Sequence, residues 1–457
     1  MEINTKKFKE LLHKRSIPNF YHLSDKLNIP YDRLSTIINE GMIQEDNDLE
    51  MLCKYFNLTK EDILIKKEKK QSITYSTKKS FIDVSNIKPF KQYKVLELFA
   101  GAGGLALGLE KAGFDSVGLI EYDKYACSTL RKNRPYWNVI EGDIDQIVKN
   151  GIHNYNVGEI DLLSGGFPCQ AFSYAGKKLG LNDTRGTLFY YFAELLNELK
   201  PKVFVAENVR GLISHDQGKT LEVMLDVFKE VGYTVEYELL NAVHYNVAQK
   251  RERIFIIGVR NDLDIEINFP KPLNYILTLK DILKDVPPSP GIKYPESKKK
   301  ILEMVPPGGC WRDLPENIAK EYMGKSYFLG GGKTGMARRL SWDEPSLTLT
   351  CSPAQKQTER CHPVETRPFT VREYARIQSF PDDWQFEGSL GQQYKQIGNA
   401  VPVQLAKHVG LALVNMLNQI EIQNNMIYPV KYKEHQSFKP TNEQIEKKAA
   451  QLELILV

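Results

Sequence analysis

Between residues 95 and 259, short apolar runs alternate with segments of helical periodicity, and that alternation confines the chain to one class of fold. Val95-Leu96-Glu97-Leu98-Phe99 and residues 117–120, 160–164, 203–206 and 253–259 have strand length and are rich in branched and aromatic side chains. Helical patterns lie between them, over 105–112, 190–199 and 220–231. Strands alternating with helices predict an α/β fold built on a doubly wound, mostly parallel sheet. An amphipathic stretch near 400–419 is expected to pack back onto it. With 457 residues the chain can bury a large core and hold about two to three domains.

Outside that block the grammar changes. Within residues 1–66, Leu23, Leu27, Leu34, Ile37 and Ile38 recur at helical spacing around a break from Asn28 to Pro30. Helix, tight turn, helix is the pattern of a helix-turn-helix, with Tyr31, Asp32, Arg33, Ser35 and Thr36 facing outward. This stretch resembles the Cro/repressor-like helix-turn-helix domains, which implies DNA binding; a small bundle for self-association is the alternative reading. Residues 67–91 form a lysine-rich, solvated linker. The alternating block occupies 92–260 and is completed by 396–420. From 261 to 395 it gives way to a smaller, irregular domain, most clearly over 261–366, punctuated by Pro306-Pro307-Gly308-Gly309 and Gly330-Gly331-Gly332. A polar tail fills 421–457.

Composition narrows the function classes. A net charge of +4 permits a nucleic-acid partner without requiring one. Six cysteines with no CxxC pair suit reduced, cytoplasmic thiols. Cys351, Cys361 and His362 lack the paired spacing of a structural zinc site, so no metal is expected. The first residues carry no apolar targeting core, and no run approaches about eighteen apolar residues, which disfavours secretion and a membrane.

Phe99-Ala100-Gly101-Ala102-Gly103-Gly104 is a glycine-rich turn from strand to helix, where free N–H groups favour an anion and the missing side chains admit a ligand. Glu121, ending the next strand, is placed for ribose hydroxyls, and Asp143 for an adenine amino group. This much fits NAD, FAD or S-adenosylmethionine. Cys169, in Gly165-Gly166-Phe167-Pro168-Cys169-Gln170, decides among them. Hydride transfer needs no cysteine there. Methylation of carbon 5 of a cytosine does, because that carbon becomes nucleophilic only after a thiolate adds to carbon 6. Glu207, in Glu207-Asn208-Val209, can engage N3 and the exocyclic amino group. Arg251 and Arg253 supply positive charge near the thiolate and orient the base. Each of these residues alone is commoner as structure; together at strand ends they form a site.

With these residues in view, the chain resembles a DNA (cytosine-5)-methyltransferase of the bacterial restriction–modification type, over roughly 94–415. The resemblance implies a Rossmann-like fold binding S-adenosylmethionine. It assigns the cofactor to Phe99, Ala100, Gly101, Gly103, Gly104, Glu121 and Tyr122, to Asp143, Ile144, Pro168 and Leu188, and to Asn399 and Ala400 of Gln396-x-Gly398-Asn399-Ala400-Val401-Pro402. Cys169, Glu207, Arg251 and Arg253 carry over as catalytic residues. Gln170, Ser173, Arg185 and Gln249 carry over toward DNA. Arg367-Pro368-Phe369-Thr370-Val371-Arg372-Glu373 resembles the segment that organises the recognition domain. Within that domain Arg338 and Arg339 are expected at DNA, beside Lys333, Thr334, Gln355 and Gln357, since Arg and Lys read guanine and Gln reads adenine. Base flipping and closure of the loop after Cys169 are further implications.

The implied partners are double-stranded DNA, bound as a monomer, and a cognate restriction endonuclease of the same system. A tRNA-methylating enzyme is one alternative, but its characteristic Cys-Phe-Thr segment is absent. A DNA-binding repressor is another, and as an added role it would let the enzyme regulate its own promoter.

Overall fold

Among the described residues, seven strands form the central sheet, in the order β4 (Val139–Glu141), β3 (Phe114–Glu121), β2 (Tyr93–Leu98), β5 (Leu162–Gly165), β6 (Val203–Val209), β9 (Glu252–Arg260) and β7 (Tyr233–Asn241). The structure is a computed structural model and describes residues 20–27, 29–30, 33–34, 37, 46–59, 79–168, 184, 187–328 and 335–423. The chain divides into two compact units, Met1–Lys78 and Lys79–Val457, and the sheet belongs to the second.

From β4 to β6 every pairing is parallel, whereas β9 runs antiparallel to both β6 and β7. The expected α/β class and mostly parallel sheet are observed. Two consequences position the site. Chain order reverses between β2 and β5, which opens a crevice beyond the carboxyl ends of those strands. Because β9 is antiparallel, it begins where β6 ends, with Val209 opposite Arg253.

Neighbouring residues on the inner strands point to opposite faces, and both sets are apolar. Leu96, Leu163 and Phe204 enter one core; Val95, Leu162 and Val203 enter the other. The first core is covered by α5 (Ile144–Asn150), α6 (Leu188–Leu199) and α7 (Lys219–Glu230) through Ile147, Phe192 and Phe228. The second is covered by α3 (Gly104–Ala112) and α13 (Val403–Gln423) through Leu109 and Leu413. Each fully buried side chain of this size contributes about 1.5–3 kcal/mol over an exposed one. Gly108 lets the last two helices touch, since a Cβ there would lie 2.3 Å from the Ala406 methyl. Polar caps set where helices begin. Asp123 accepts from the N–H groups of Tyr125 and Ala126 at the start of α4 (Lys124–Asn133), and Thr187 accepts from Tyr190 at the start of α6.

Strand β7 does not stand out in the sequence. Tyr233, Val235, Tyr237 and Leu239 alternate as a strand should, but they follow α7 after two residues, and while Tyr233 and Val235 are buried, Tyr237 and Leu239 stay partly exposed along the sheet edge.

The irregular region has short helices, α8 (Leu279–Ile282), α9 (Glu296–Glu303) and α10 (Glu316–Met323), and a small core around Leu302, Tyr322, Met336 and Cys361. Packing does not follow the expected limits at 261 and 395. β10 (Asn268–Pro270) pairs with β1 (Ser80–Ile82), and Ile267 and Phe269 lie in the second sheet core. At the other end, α11 (Val371–Ile377) and α12 (Leu390–Asn399) share a core with Ala100, Ala102 and Leu107. Burial, which composition does not report, ties both stretches to the sheet.

In the N-terminal unit, α1 (Phe20–Leu27) and α2 (Asp46–Phe56) bury Leu23, Leu27, Leu49 and Leu52 against Ile29, Leu34 and Ile37. The Ile29 N–H donates to Ser24 O across 3.2 Å and the Ser24 hydroxyl donates to Ile29 O across 2.6 Å, closing a tight turn after α1. Arg33 departs from its expected outward placement: it pairs at 2.9 Å with Asp48, which is buried. Tyr31, Asp32, Ser35, Thr36 and Ile38 lie outside the described residues.

Candidate active site

Three strand ends converge at one edge of the sheet. Gly165 is in register with Ala206, so the residues that follow β5 run beside Glu207 and Asn208. Phe167 is buried between Phe189 and Phe192, with ring centroids 5.5 Å away in each case. Its carbonyl accepts from the buried Asn208 Nδ2 at 2.8 Å. That bond pins the chain just before the exposed Pro168, which leads into Cys169. Asn208, which the sequence names only as the middle of Glu207-Asn208-Val209, is thereby a positioning residue. Cys169, Gln170, Ser173 and Arg185 lie outside the described residues.

The Glu207 carboxylate presses against the backbone of this same segment. A Cβ on Gly166 would sit 2.7 Å from Glu207 Oε2, so any side chain there would have to displace the carboxylate. Arg253, from the start of β9, donates its Nε to Glu207 Oε1 at 2.8 Å, with both side chains largely buried. Burial raises the Glu207 pKa above the usual carboxylate value, and the charges of Arg253 and Arg251 oppose that rise only in part. A buried carboxyl poised in this way can hold a proton for a ring nitrogen.

Arg251 and Gln249 are placed differently from the expectation. Arg251 is 1% exposed and donates to main-chain carbonyls, to Leu349 at 3.2 Å and to Gly398 and Ala400 at 2.9 and 3.0 Å. Burial and the neighbouring Arg253 push its pKa down to about 9, which leaves it charged at neutral pH. Its geometry serves the end of α12 instead of a base. Gln249 belongs to β8 (Gln249–Lys250), which pairs with β11 (Ser346–Leu347). It is fully buried, donates to Gln378 Oε1 at 2.8 Å and accepts from Leu349 N at 2.9 Å. Its polar atoms are committed inside the fold, so a DNA contact is replaced by a structural role.

The crevice between β2 and β5 carries the glycine-rich turn. Phe99 adopts a left-handed φ of 59°, and Gly101 and Gly103 follow at 55° and 84°. Ala100 N–H bonds to Ile120 O at 3.1 Å, and Gly101 N–H to Glu121 Oε2 at 2.7 Å. The other Glu121 oxygen accepts from the N–H groups of Tyr122 and Asp123 at 2.9 and 2.7 Å. Glu121 thereby fixes the loop while each oxygen keeps lone-pair capacity. A Cβ on Gly104 would lie 2.3 Å from Val401 O, so the helix start rests directly on the segment that follows Asn399.

Around the crevice stand Tyr122, 75% exposed, and Asp143, exposed at the N-terminus of α5 where it accepts from Asp145 N at 3.0 Å. Ile144 is buried and Leu188 half-buried. Asn399 Oδ1 accepts from the Cys351 thiol at 2.9 Å, and Ala400 is buried beside it. These residues suit S-adenosylmethionine. Space above Gly101 is open, since a Cβ there would meet nothing within 4 Å, and the N-terminus of α3 has no side-chain cap to compete with a carboxylate.

Glu97 escaped sequence reasoning because it reads as one polar residue in an apolar strand. It is 1% exposed under the glycine turn, where it accepts from Ser164 Oγ at 3.4 Å and from the Ala106 N–H of α3. Burial pushes its pKa up to about 8.

The expected base-reading arginines do not both reach outward. Arg339 is buried and donates to Val305 O and Leu302 O at 2.7 Å, to Thr366 Oγ1 at 2.8 Å, and to His362 O and Val364 O at 3.2 Å. It knits the irregular region together and has no donor left for DNA. Arg338 is half-buried and faces Glu344 at 3.7 Å. Gln355 and Gln357 are exposed, and Lys333 and Thr334 lie outside the described residues.

Comparison with known proteins places the chain in a family. A family model described as C-5 cytosine-specific DNA methylase matches residues 93–415, and one for the Cro/C1-type helix-turn-helix DNA-binding domain matches residues 7–69. The Type II methyltransferase M.Sau96I of Staphylococcus aureus is 53% identical over 429 residues, which is 92% of this chain and 100% of that protein. M.Eco47II of Escherichia coli, also a Type II methyltransferase, is 64% identical over 338 residues, 72% of this chain and 80% of the other. Among solved structures, a DNA modification methyltransferase encoded within an E. coli prophage is similar at a TM-score of 0.52 and 26% identity, covering 72% of this chain and 100% of that one.

Proposed function

The chain belongs to the C-5 cytosine-specific DNA methylase family, and from that premise we propose that it methylates a cytosine flipped out of duplex DNA by way of a covalent bond from Cys169 to carbon 6. The observation that carries the reading is the Glu207–Arg253 pair at 2.8 Å, packed against Gly166 three residues before Cys169. A base inside the stack cannot present carbon 6, so the cytosine leaves the duplex. The Cys169 thiolate adds to carbon 6, and Glu207 holds a proton at N3 so that the ring accepts the electron pair. Arg253 fixes the Glu207 carboxyl and limits the rise of its pKa.

S-adenosylmethionine, when bound, supplies an electrophilic methyl group on a sulfonium sulfur. Gly101, Gly103, Gly104 and Glu121 hold it in the crevice, Tyr122, Ile144, Pro168 and Leu188 supply apolar contact, Asp143 takes the adenine amino group, and Asn399 takes the methionine end. Methyl transfer to carbon 5 would release S-adenosylhomocysteine; a base, solvent water included, then takes the carbon-5 proton, and the electron pair left behind re-forms the C5–C6 double bond and expels the Cys169 thiolate.

The restriction–modification character of the relatives supports a protective role, against a cognate endonuclease acting on the same short sequence in the cytoplasm. The N-terminal helix-turn-helix supports a second role, binding of the enzyme's own promoter. Mapping 5-methylcytosine in DNA from cells that express the protein tests the first reading: one short sequence methylated throughout by the wild type and left unmethylated by Cys169→Ala supports it, and no methylated sequence, or one methylated equally by Cys169→Ala, defeats it. Deletion of residues 1–66 with promoter binding unchanged defeats the second.

A further inference from the structure

We propose that Gln378 is a positioning residue that sets the cofactor segment Asn399–Ala400 through the end of α12. The inference rests on the reading that this segment contacts S-adenosylmethionine. The last carbonyls of a helix have no partner within it, and here Pro402 prevents the chain from simply continuing the helix. Two buried side chains supply the partners. Gln378, fully buried, donates Nε2 to Ile397 O at 2.7 Å and to Ala400 O at 3.1 Å. Arg251 donates to Gly398 O, Asn399 O and Ala400 O at 2.9, 3.4 and 3.0 Å. Four successive carbonyls are thus fixed, and both side chains meet on the last.

Gln378 is itself held. Its Oε1 accepts from Gln249 Nε2 at 2.8 Å, which fixes the orientation of the amide, and its carbonyl accepts the Val403 N–H at the start of α13 at 3.1 Å. Gln249 and the end of α12 are therefore joined at the Gln378 side chain, and the start of α13 is held by the main-chain carbonyl of the same residue. The residue after Ala400 is Val401, whose carbonyl lies against Gly104. A shift of this segment changes the gap between Asn399 and the glycine turn, which is the width of the crevice. The Gln378 side chain bonds to Gln249, Ile397 and Ala400 and not directly to Glu207 or Arg253, so its effect is expected at the cofactor end.

The test is steady-state kinetics of Gln378→Met and Gln378→Glu in the full-length protein, varying S-adenosylmethionine and duplex DNA separately, with S-adenosylhomocysteine binding measured by calorimetry. Loss of two hydrogen bonds from the amide should raise KM for S-adenosylmethionine about tenfold or more, weaken S-adenosylhomocysteine in parallel, and leave KM for DNA and kcat within about threefold. Gln249→Met, which frees the Gln378 amide without removing it, should give a smaller shift in the same direction and stands in if the Gln378 variants do not fold. A fall in kcat with KM for S-adenosylmethionine unchanged would mean that Gln378 only stabilises the fold, and would overturn the proposal. Asn399→Ala separates the premise. If it raises KM for S-adenosylmethionine while the Gln378 variants do not, positioning by Gln378 fails alone; if it too leaves KM unmoved, the cofactor reading of this segment fails and the proposal with it.

Discussion

Arg253 Nε and Glu207 Oε1 lie 2.8 Å apart, joining the first residues of β9 to the last residues of its antiparallel neighbour β6. The pair opposes two effects on one carboxyl: burial raises the Glu207 pKa, and the guanidinium restrains it. Activity that needs the protonated acid is present below this raised pKa and falls as pH climbs through it. Arg253→Met removes the restraint, so the alkaline limb of the kcat profile should move to higher pH while kcat drops about 10–100-fold from lost orientation. Glu207→Gln should lower kcat by about 10²–10⁴-fold and abolish that limb. Stopped-flow or single-turnover methylation across pH reads both.

Gly166→Ala tests the close approach from the other side. The added methyl would lie 2.7 Å from Glu207 Oε2 and must displace the carboxylate, because the backbone on either side is fixed by β5 and by the Asn208–Phe167 bond. A loss of about 10–100-fold in kcat is expected, with thermal stability changed little and cofactor affinity preserved. Single-turnover rates and S-adenosylhomocysteine titration separate these outcomes.

Glu97 makes stability depend on pH in a direction opposite to that of salt-bridged carboxylates. Its folded pKa of about 8 lies above the ordinary 4.5. Between those values the unfolded chain releases a proton that the folded one keeps, so this residue's contribution is full below the lower value and is lost as pH rises toward the upper one. The slope is at most about 1.4 kcal/mol per pH unit. Glu97→Gln, which keeps the buried amide neutral, should flatten the fall in chemical-denaturation stability between pH 5 and pH 8.

Arg339→Met should destabilise the irregular region by on the order of 3 kcal/mol, since three buried and two partly buried acceptors lose their donor. The methylated sequence itself should stay the same in surviving enzyme. Sequencing of 5-methylcytosine sites alongside a denaturation midpoint distinguishes this from a base-reading role, for which specificity would relax without loss of stability.

The contrast between Arg339 and Glu207 shows what was legible in the sequence. The sheet, the glycine turn and the strand-end residues could be read because each depends on local pattern: apolar runs, a glycine spacing, a polar residue closing an apolar strand. The partners of a buried side chain depend on distant chain segments. Arg251, Gln249 and Arg339 have the composition of DNA contacts, yet their donors meet oxygens 98 and 147, 129 and 37 residues away, respectively. Glu97 and Gln378 carry no motif at all; only burial singles them out. β7 was hidden for a different reason, its alternation being diluted by the exposure of an edge strand.

The central claim is that Cys169 is the nucleophile, and trapping measures it directly. The protein is incubated with S-adenosylmethionine and a duplex carrying 5-fluorocytosine at the methylated position, then digested and mapped by mass spectrometry. The account predicts a methylated, fluorinated base bonded to the peptide containing Cys169, with no adduct in Cys169→Ala, which should still bind DNA. Methylation by Cys169→Ala at the wild-type rate, or an adduct on the exposed Cys351 in its place, would contradict it.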